Sequence, residues 1–324
     1  MEQIKRIAIL DPSICTSNIG DKIIMDSAEK EIKSVFKNAF YVKIPTQEII
    51  FKMSYKHIKN SEEKIVCGTN LLSSNMPFYN QWKIGLFDSL FLKDVVLLGV
   101  GWWQYQRDPN IYTRRVLKRV LSNKKIHSVR DNYTKNMLEK IGIKNVINTS
   151  CPTMWMLNKQ HCEKVPVTKS ENVIFTVTDY NKDIVNDKFL IHTLIENYSK
   201  VFFWVQSYND IGYIFNELNF SKKDVIIVSP TIEKLDEVLI NESVDYVGTR
   251  LHAGIRALQH QVRTIIIGID NRALEKAKDF NVCVIERDSI AKNLYNLIYS
   301  DIKCNISIPE DNIEIWKNQF LNQK

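Results

Sequence analysis

Val244-Asp245-Tyr246-Val247-Gly248-Thr249-Arg250-Leu251-His252-Ala253-Gly254 reads as a strand that breaks at a glycine, crosses a short turn and enters a helix running from Ala253 to His260. Val244, Tyr246 and Val247 make the strand largely apolar, which suits a position covered on both faces. Arg250 and His252 stand two apart across the turn, so both can reach one ligand while Leu251 turns into the core. Gly248 and Gly254 leave room for close approach of a substrate. In open parallel sheets, ligands bind beyond the carboxyl ends of the strands, and this loop lies at such an end.

The same unit recurs in both directions. After it come the strands Thr264–Ile267 and Val282–Ile285; before it come Val173–Val177, Val201–Val205 and Val225–Val228. Helical stretches fall near 184–199, 231–240, 271–279 and 288–299. The first half repeats the pattern: a strand at Ile7–Leu10, a helix at Asp21–Phe36, and strands at Phe40–Ile44, Ile65–Val66, Asp94–Val100 and Ile126–Val129. Helices are expected at Ile111–Leu121 and Thr134–Ile141. Apolar strands alternating with helices predict parallel sheets covered on both faces. A polar stretch without clear period, 158–171, reads as a linker. The expectation is an α/β protein of two Rossmann-like, doubly wound domains, 1–165 and 166–310, facing each other across a ligand cleft. A terminal helix at Asn312–Leu321, within 311–324, would dock back on the first domain.

Composition narrows the class. The chain has 324 residues, 44% hydrophobic and 25% charged, which fits a folded globular protein and argues against disorder. No run approaches the ~18 apolar residues of a transmembrane helix. The six cysteines, at 15, 67, 151, 162, 283 and 304, form no CxxC pair, the pattern of reduced cytosolic thiols, and the protein is expected in the cytoplasm. The net charge of +7 is uneven: 27 Lys and Arg against 15 Asp and Glu through residue 170, then 17 against 22. No DNA- or RNA-binding motif accompanies the basic half. An anionic acceptor or an acidic membrane face explains it as well, and a solvated surface is the default. Arg114, Arg115, Lys118 and Arg119 share a helical face that could rest on anionic lipid at the inner face of the membrane.

Four further stretches carry possible chemistry. Ser17-Asn18-Ile19-Gly20-Asp21 follows the first strand and opens a helix, so Gly20 and the free N–H groups offer an anion site. Asp21 reads either as a helix cap or as a base. In Ser128-Val129-Arg130-Asp131 the arginine can grip a carboxylate or phosphate, or pair with Asp131 as it caps the next helix. Cys151-Pro152-Thr153 lacks a local base and reads as structural, with Trp155 packing nearby. Gly99-Val100-Gly101-Trp102-Trp103 offers either a sugar platform or a packed domain edge.

In order and spacing, Asn18-Ile19-Gly20-Asp21, Ser128-Val129-Arg130-Asp131, Cys151-Pro152-Thr153 and Gly248-Thr249-Arg250-Leu251-His252-Ala253-Gly254 resemble the polysaccharide pyruvyl transferase family. The resemblance implies a pair of Rossmann-type domains arranged as in GT-B glycosyltransferases. It also implies transfer of pyruvate from phosphoenolpyruvate onto a sugar of a surface polymer, as a ketal. The first domain would then take the saccharide acceptor, free or lipid-linked, and the second the phosphoenolpyruvate. Arg250 and His252 would hold the donor, with Leu251, Arg130, Asn18 and Gly20 completing the site. His252 would serve as acid and Asp21 as base toward the acceptor hydroxyl. The arginines suffice to neutralise the donor's charge, so no metal and no cofactor besides the donor substrate is expected. The alternatives are a GT-B glycosyltransferase using a nucleotide sugar and a non-catalytic scaffold in surface-polymer assembly.

Overall fold

The computed structural model describes residues 4–321. The chain divides into two units. One takes the residues up to Thr16, Ile24–Trp155 and those from Ile308 onward; the other takes Ser17–Ile23 and Met156–Ser307. The polar stretch after residue 158 folds within the second unit: Asn158 caps a helical turn through His161 N, and Cys162 and Val165 are buried.

The first unit holds six parallel strands: β1 (Lys5–Asp11), β2 (Ala39–Pro45), β3 (Glu63–Leu72), β4 (Val95–Trp102), β5 (His127–Val129) and β6 (Val146–Asn148). Their order is β2-β1-β3-β4-β5-β6, so the direction of winding reverses between β1 and β3. The helices are α1 (Ile19–Val35, of which the part from Ile24 onward lies in this unit), α2 (Lys52–Lys59), α3 (Ile111–Val120) and α4 (Asn132–Lys140). β4 is buried along its whole length, as a central strand covered on both faces must be. Ile9, Cys67 and Leu98 pack toward Met25 and Ile32; Leu10, Val66 and Leu97 pack toward Leu117 and Leu138. The terminal helix Glu310–Leu321 covers the first of these faces. Trp316 is fully buried and donates from Nε1 to Leu97 O (3.1 Å), and Gln319 bonds both backbone groups of Ile126.

Two elements of this unit extend beyond their sequence signal. β3 continues past Ile65–Val66 through Gly68-Thr69-Asn70, where a register shift against β4 and a positive φ at Thr69 (82°) mark a bulge. α2 buries only Ile58, so it carries no apolar period to betray it.

The second unit holds β7 (Asn172–Thr176), β8 (Val201–Trp204), β9 (Ile226–Val228), β10 (Val244–Gly248), β11 (Thr264–Gly268) and β12 (Val284–Glu286), all parallel, in the order β12-β11-β10-β7-β8-β9. Counted within the unit this is the doubly wound 3-2-1-4-5-6 order, and its switch point lies between β7 and β10. The helices are α5 (Lys159–Cys162), α6 (Ile184–Asn197), α7 (Asp210–Gly212, running into a π turn at Tyr213–Glu217), α8 (Ile232–Asn241), α9 (Leu251–Gln259), α10 (Asn271–Phe280) and α11 (Ile290–Tyr299). A fully buried ion pair ties the sheet to α11: Arg263 Nη1 donates to Asp245 Oδ2 (2.7 Å), while Nη2 caps the helix end at Leu297, Ile298 and Ser300 carbonyls. Removing one partner would strand a buried charge, at a cost of about 3–5 kcal/mol. Among the described residues, no helix is long and apolar enough to cross a membrane.

Candidate functional site

The switch point of the second unit is built around a glycine. A Cβ on Gly248 would fall 2.5 Å from Thr176 Oγ1 and within 2.9 Å of its backbone, so only glycine lets the ends of β7 and β10 approach this closely. Thr249 N donates to Thr176 O (3.1 Å), and Arg250 N to Thr176 Oγ1 (3.3 Å). Tyr246 Oη donates to Arg250 O (2.8 Å). The backbone of Arg250 is thus fixed before its side chain is considered.

That side chain is buried and pinned. Its Nε donates to Val177 O (2.8 Å), and its Nη2 to Asp179 Oδ1 (2.8 Å) and Asp210 Oδ1 (2.5 Å). The Tyr180 ring lies 5.1 Å from the guanidinium carbon. Nη1 donates to none of the described residues, which leaves one edge of the fork for a ligand. Leu251 and His252 open α9 immediately after it and are buried, so His252 sits in the first helical turn rather than in the preceding loop. The helix starts two residues before Ala253 because Arg250, extended at φ −93°, already occupies the capping position.

The two acids differ in state. Burial pushes the Asp210 carboxyl up to about 6 against the opposing pull of Arg250 and of the N–H group of Ser207, which donates to its Oδ2 at 2.8 Å. Asp179 is also raised by burial, but Arg250 and Asn209 outweigh this and hold it below the usual carboxylate range. Gln206 N also donates to Asp210 Oδ2 (3.1 Å). One hydrogen-bonded chain therefore runs from Arg250 through Asp210 to Gln206, and on to the turn that opens α1. Gln206 Nε2 donates to Asn18 Oδ1 (2.8 Å), which also accepts from Gly20 N (3.0 Å). A Cβ on Gly20 would sit 2.9 Å from Gln206 Nε2, so the contact depends on that glycine. Asp21 lies buried in the first turn of α1, and its N–H donates to Asn18 O (3.1 Å).

Asn18, Gly20, Asp21, Arg250, Leu251 and His252 thus all belong to the second unit. Arg130 belongs to the first, at the end of β5, in a cluster of its own. Its Nη2 donates to Asn70 Oδ1 (2.6 Å) and Trp102 O (3.2 Å), and its Nε to Asp131 Oδ2 (3.0 Å). Asp131 also caps α4 through Thr134 N (2.7 Å), so the ion pair and the cap coexist, and both residues are buried rather than on the surface. Gly101 makes room for the guanidinium.

The other stretches resolve into packing. Cys151 is buried, and Pro152 fits against Gly99, whose φ of +62° and absent side chain admit the ring. Trp102 is fully buried and donates from Nε1 to Ser74 Oγ (3.2 Å) and Gln106 Oε1 (3.0 Å), so it packs the domain. Trp103 is half-buried and stacks on Tyr79 at 3.4 Å between centroids. The sequence gives no sign that Asp179, Asp210 and Gln206 join the hydrogen-bonded chain at Arg250, or Asn70 the one at Arg130. The first three follow β7 or β8 directly and join the Arg250 cluster, but nothing in their local sequence picks out these side chains. Among the described residues, no three His, Cys, Asp or Glu side chains converge as they would on a metal ion.

The fold is shared with solved structures of very different sequence. A UDP-GlcNAc 2-epimerase from Methanocaldococcus jannaschii superposes with a TM-score of 0.54 at 12% identity, over 98% of each chain. S. aureus MnaA, solved with UDP, does so at 0.51 and 9% identity, over 99% of this chain and 95% of the other. Such likeness is one of fold alone, and it marks the chain as an α/β protein of the GT-B-like kind, two Rossmann-like units with parallel sheets. Sequence gives the family: the polysaccharide pyruvyl transferase profile spans residues 18–271, and the chain belongs to that family. No curated protein sequence matches it.

Proposed function

We propose that the protein transfers pyruvate from phosphoenolpyruvate to two hydroxyls of a saccharide destined for the cell surface. The observation that carries this is the Arg250 fork: a cation locked at the switch point, with one nitrogen unengaged and a histidine two residues on. Phosphoenolpyruvate presents a carboxylate and a phosphate, and a pre-set guanidinium recognises such groups at little ordering cost. The nearby N-terminus of α9 adds its own attraction for anions.

In the reaction, His252 in its protonated form delivers a proton to the donor's methylene carbon. The neighbouring carbon becomes electrophilic, and an acceptor hydroxyl adds to it as Asp21 takes the hydroxyl proton. The bond from that carbon to the phosphate oxygen then breaks, and inorganic phosphate leaves with the electron pair. A second hydroxyl of the same sugar attacks in its place and gives up its proton to the now neutral His252, closing the ketal, while the proton held by Asp21 passes to the departing phosphate. One donor and one diol yield one ketal and one phosphate. Asp210, with its carboxyl near 6, can take up a proton as the anionic donor binds and so keep Arg250 from being fully neutralised by its two acids.

The test is transfer itself. Incubation with phosphoenolpyruvate and a surface-polysaccharide extract should release phosphate and add a pyruvate ketal to the glycan by mass spectrometry. Transfer of sugar from a nucleotide sugar, with phosphoenolpyruvate inert, would replace this reading by the glycosyltransferase one.

A further inference from the structure

Five large apolar side chains of the first unit stand well out of the surface. Phe51 is 70% exposed, Met53 60%, Phe87 67%, Leu90 55% and Phe91 53%. They come from two chain segments that meet. Tyr55 on α2 donates its hydroxyl to Asp88 and packs its ring 5.3 Å from that of Phe91, and Phe91 lies 5.4 Å from Phe87. Phe51 is four residues before Tyr55 and shares its helical face. Asp88 in turn accepts from Gly85 N (2.6 Å), which fixes the loop that presents Phe87 and Leu90. α3 adjoins this loop, since Leu86 N donates to Tyr112 Oη (3.3 Å).

The surrounding charge is one-sided. Across 49–60, 83–94 and 111–120 there are nine Lys and Arg and two Asp, and one of those acids is Asp88, already engaged with Tyr55 and Gly85. Lys52, Lys56 and Lys59 follow one another at helical spacing and are exposed, as are Lys83, Lys93, Arg115, Lys118 and Arg119. Aromatic rings that project, rather than line a groove, suit insertion into a deformable apolar layer, and long basic side chains beside them reach for a plane of negative charge. A folded protein partner would have to supply matching hollows for separate projecting rings; a bilayer needs none.

We propose that this face docks the protein on the surface of an anionic lipid bilayer, with the phenylalanines in the acyl boundary and the α2 and α3 cations among the headgroups. The inference is independent of the donor assignment. It is tested by co-sedimentation of the full-length protein with vesicles of phosphatidylglycerol and phosphatidylcholine in equal parts, and with vesicles of phosphatidylcholine alone. Binding should be strong to the first, weak to the second and reduced by salt. Phe51→Ser with Phe87→Ser should lower partitioning about tenfold per ring. Lys52→Glu with Lys56→Glu and Lys59→Glu should lower it on the order of a hundredfold. Thermal melting should be unchanged, because every altered side chain is exposed. Equal affinity for both vesicle types, no binding to either, or variants that bind as the parent does would each overturn the proposal. So would light scattering that shows a dimer which the phenylalanine replacements dissociate, since a second copy would then be the occupant.

Discussion

Replacing Gly101 by alanine tests how firmly Arg130 is held. The new methyl would lie 2.1 Å from both Cζ and Nε of Arg130 and 2.6 Å from Nη2. Carbon contacts settle near 3.5 Å, so the guanidinium must retreat by more than ~1 Å. It is 3% exposed and held by Asn70, Trp102 O and Asp131 at 2.6, 3.2 and 3.0 Å, so there is no open space to retreat into without breaking these bonds. Partly unpairing a buried charge and crowding its neighbours should together cost about 2–4 kcal/mol. Urea unfolding of Gly101→Ala measures this. The cause is isolated by repeating the substitution in an Arg130→Met background, where a flexible apolar chain can yield. If the methyl acts through Arg130, the two changes should couple by about 1–3 kcal/mol. An unchanged midpoint in Gly101→Ala, or the same loss in both backgrounds, would refute the reasoning.

Further outcomes follow from the same structure. Arg250→Lys keeps the charge but loses the fork, and should raise KM for phosphoenolpyruvate at least ~tenfold in steady-state assays, with Arg250→Ala worse still. His252→Ala should depress kcat by roughly a hundredfold or more, while thermal unfolding confirms that the protein still folds. Asp210→Asn should remove a step near pH 6 from the pH dependence of donor binding by titration calorimetry; in the parent, binding should weaken above that pH because Asp210 must take up a proton that the solution no longer supplies. Burial pushes the His127 imidazole down to about 4 from its ordinary 6.5, with Nδ1 accepting from Leu97 N and Nε2 donating to Ser122 O. The unfolded chain binds that proton first, so stability is full above pH 6.5 and falls by ~3 kcal/mol as pH drops toward 4. Urea midpoints across that range should show the loss, and His127→Gln should show less of it.

The fold was legible because its signal is repeated. Runs such as Thr264–Ile267 are apolar without alternation, and each is followed by a helix, which together imply parallel strands covered on both faces. Short or amphipathic pieces escaped: β6 spans three residues, and α2 rests on one buried side chain. The loop after β10 stands out in the sequence because arginine and histidine between glycines are unusual there. Its partners could not. Asp179 and Asp210 lie 71 and 40 residues from Arg250 in sequence, and only the strand order brings them to it. The pairing of Gln206 with Asn18 spans 188 residues and has no local signature at all.

Calorimetric titration of phosphoenolpyruvate into the protein and into its Arg250→Ala variant bears most directly on the second unit as donor site. The parent should bind the compound, a nucleotide sugar should fail to compete, and the variant should bind at least a hundredfold more weakly. Equal binding by both proteins, or displacement of the compound by a nucleotide sugar, would contradict the assignment.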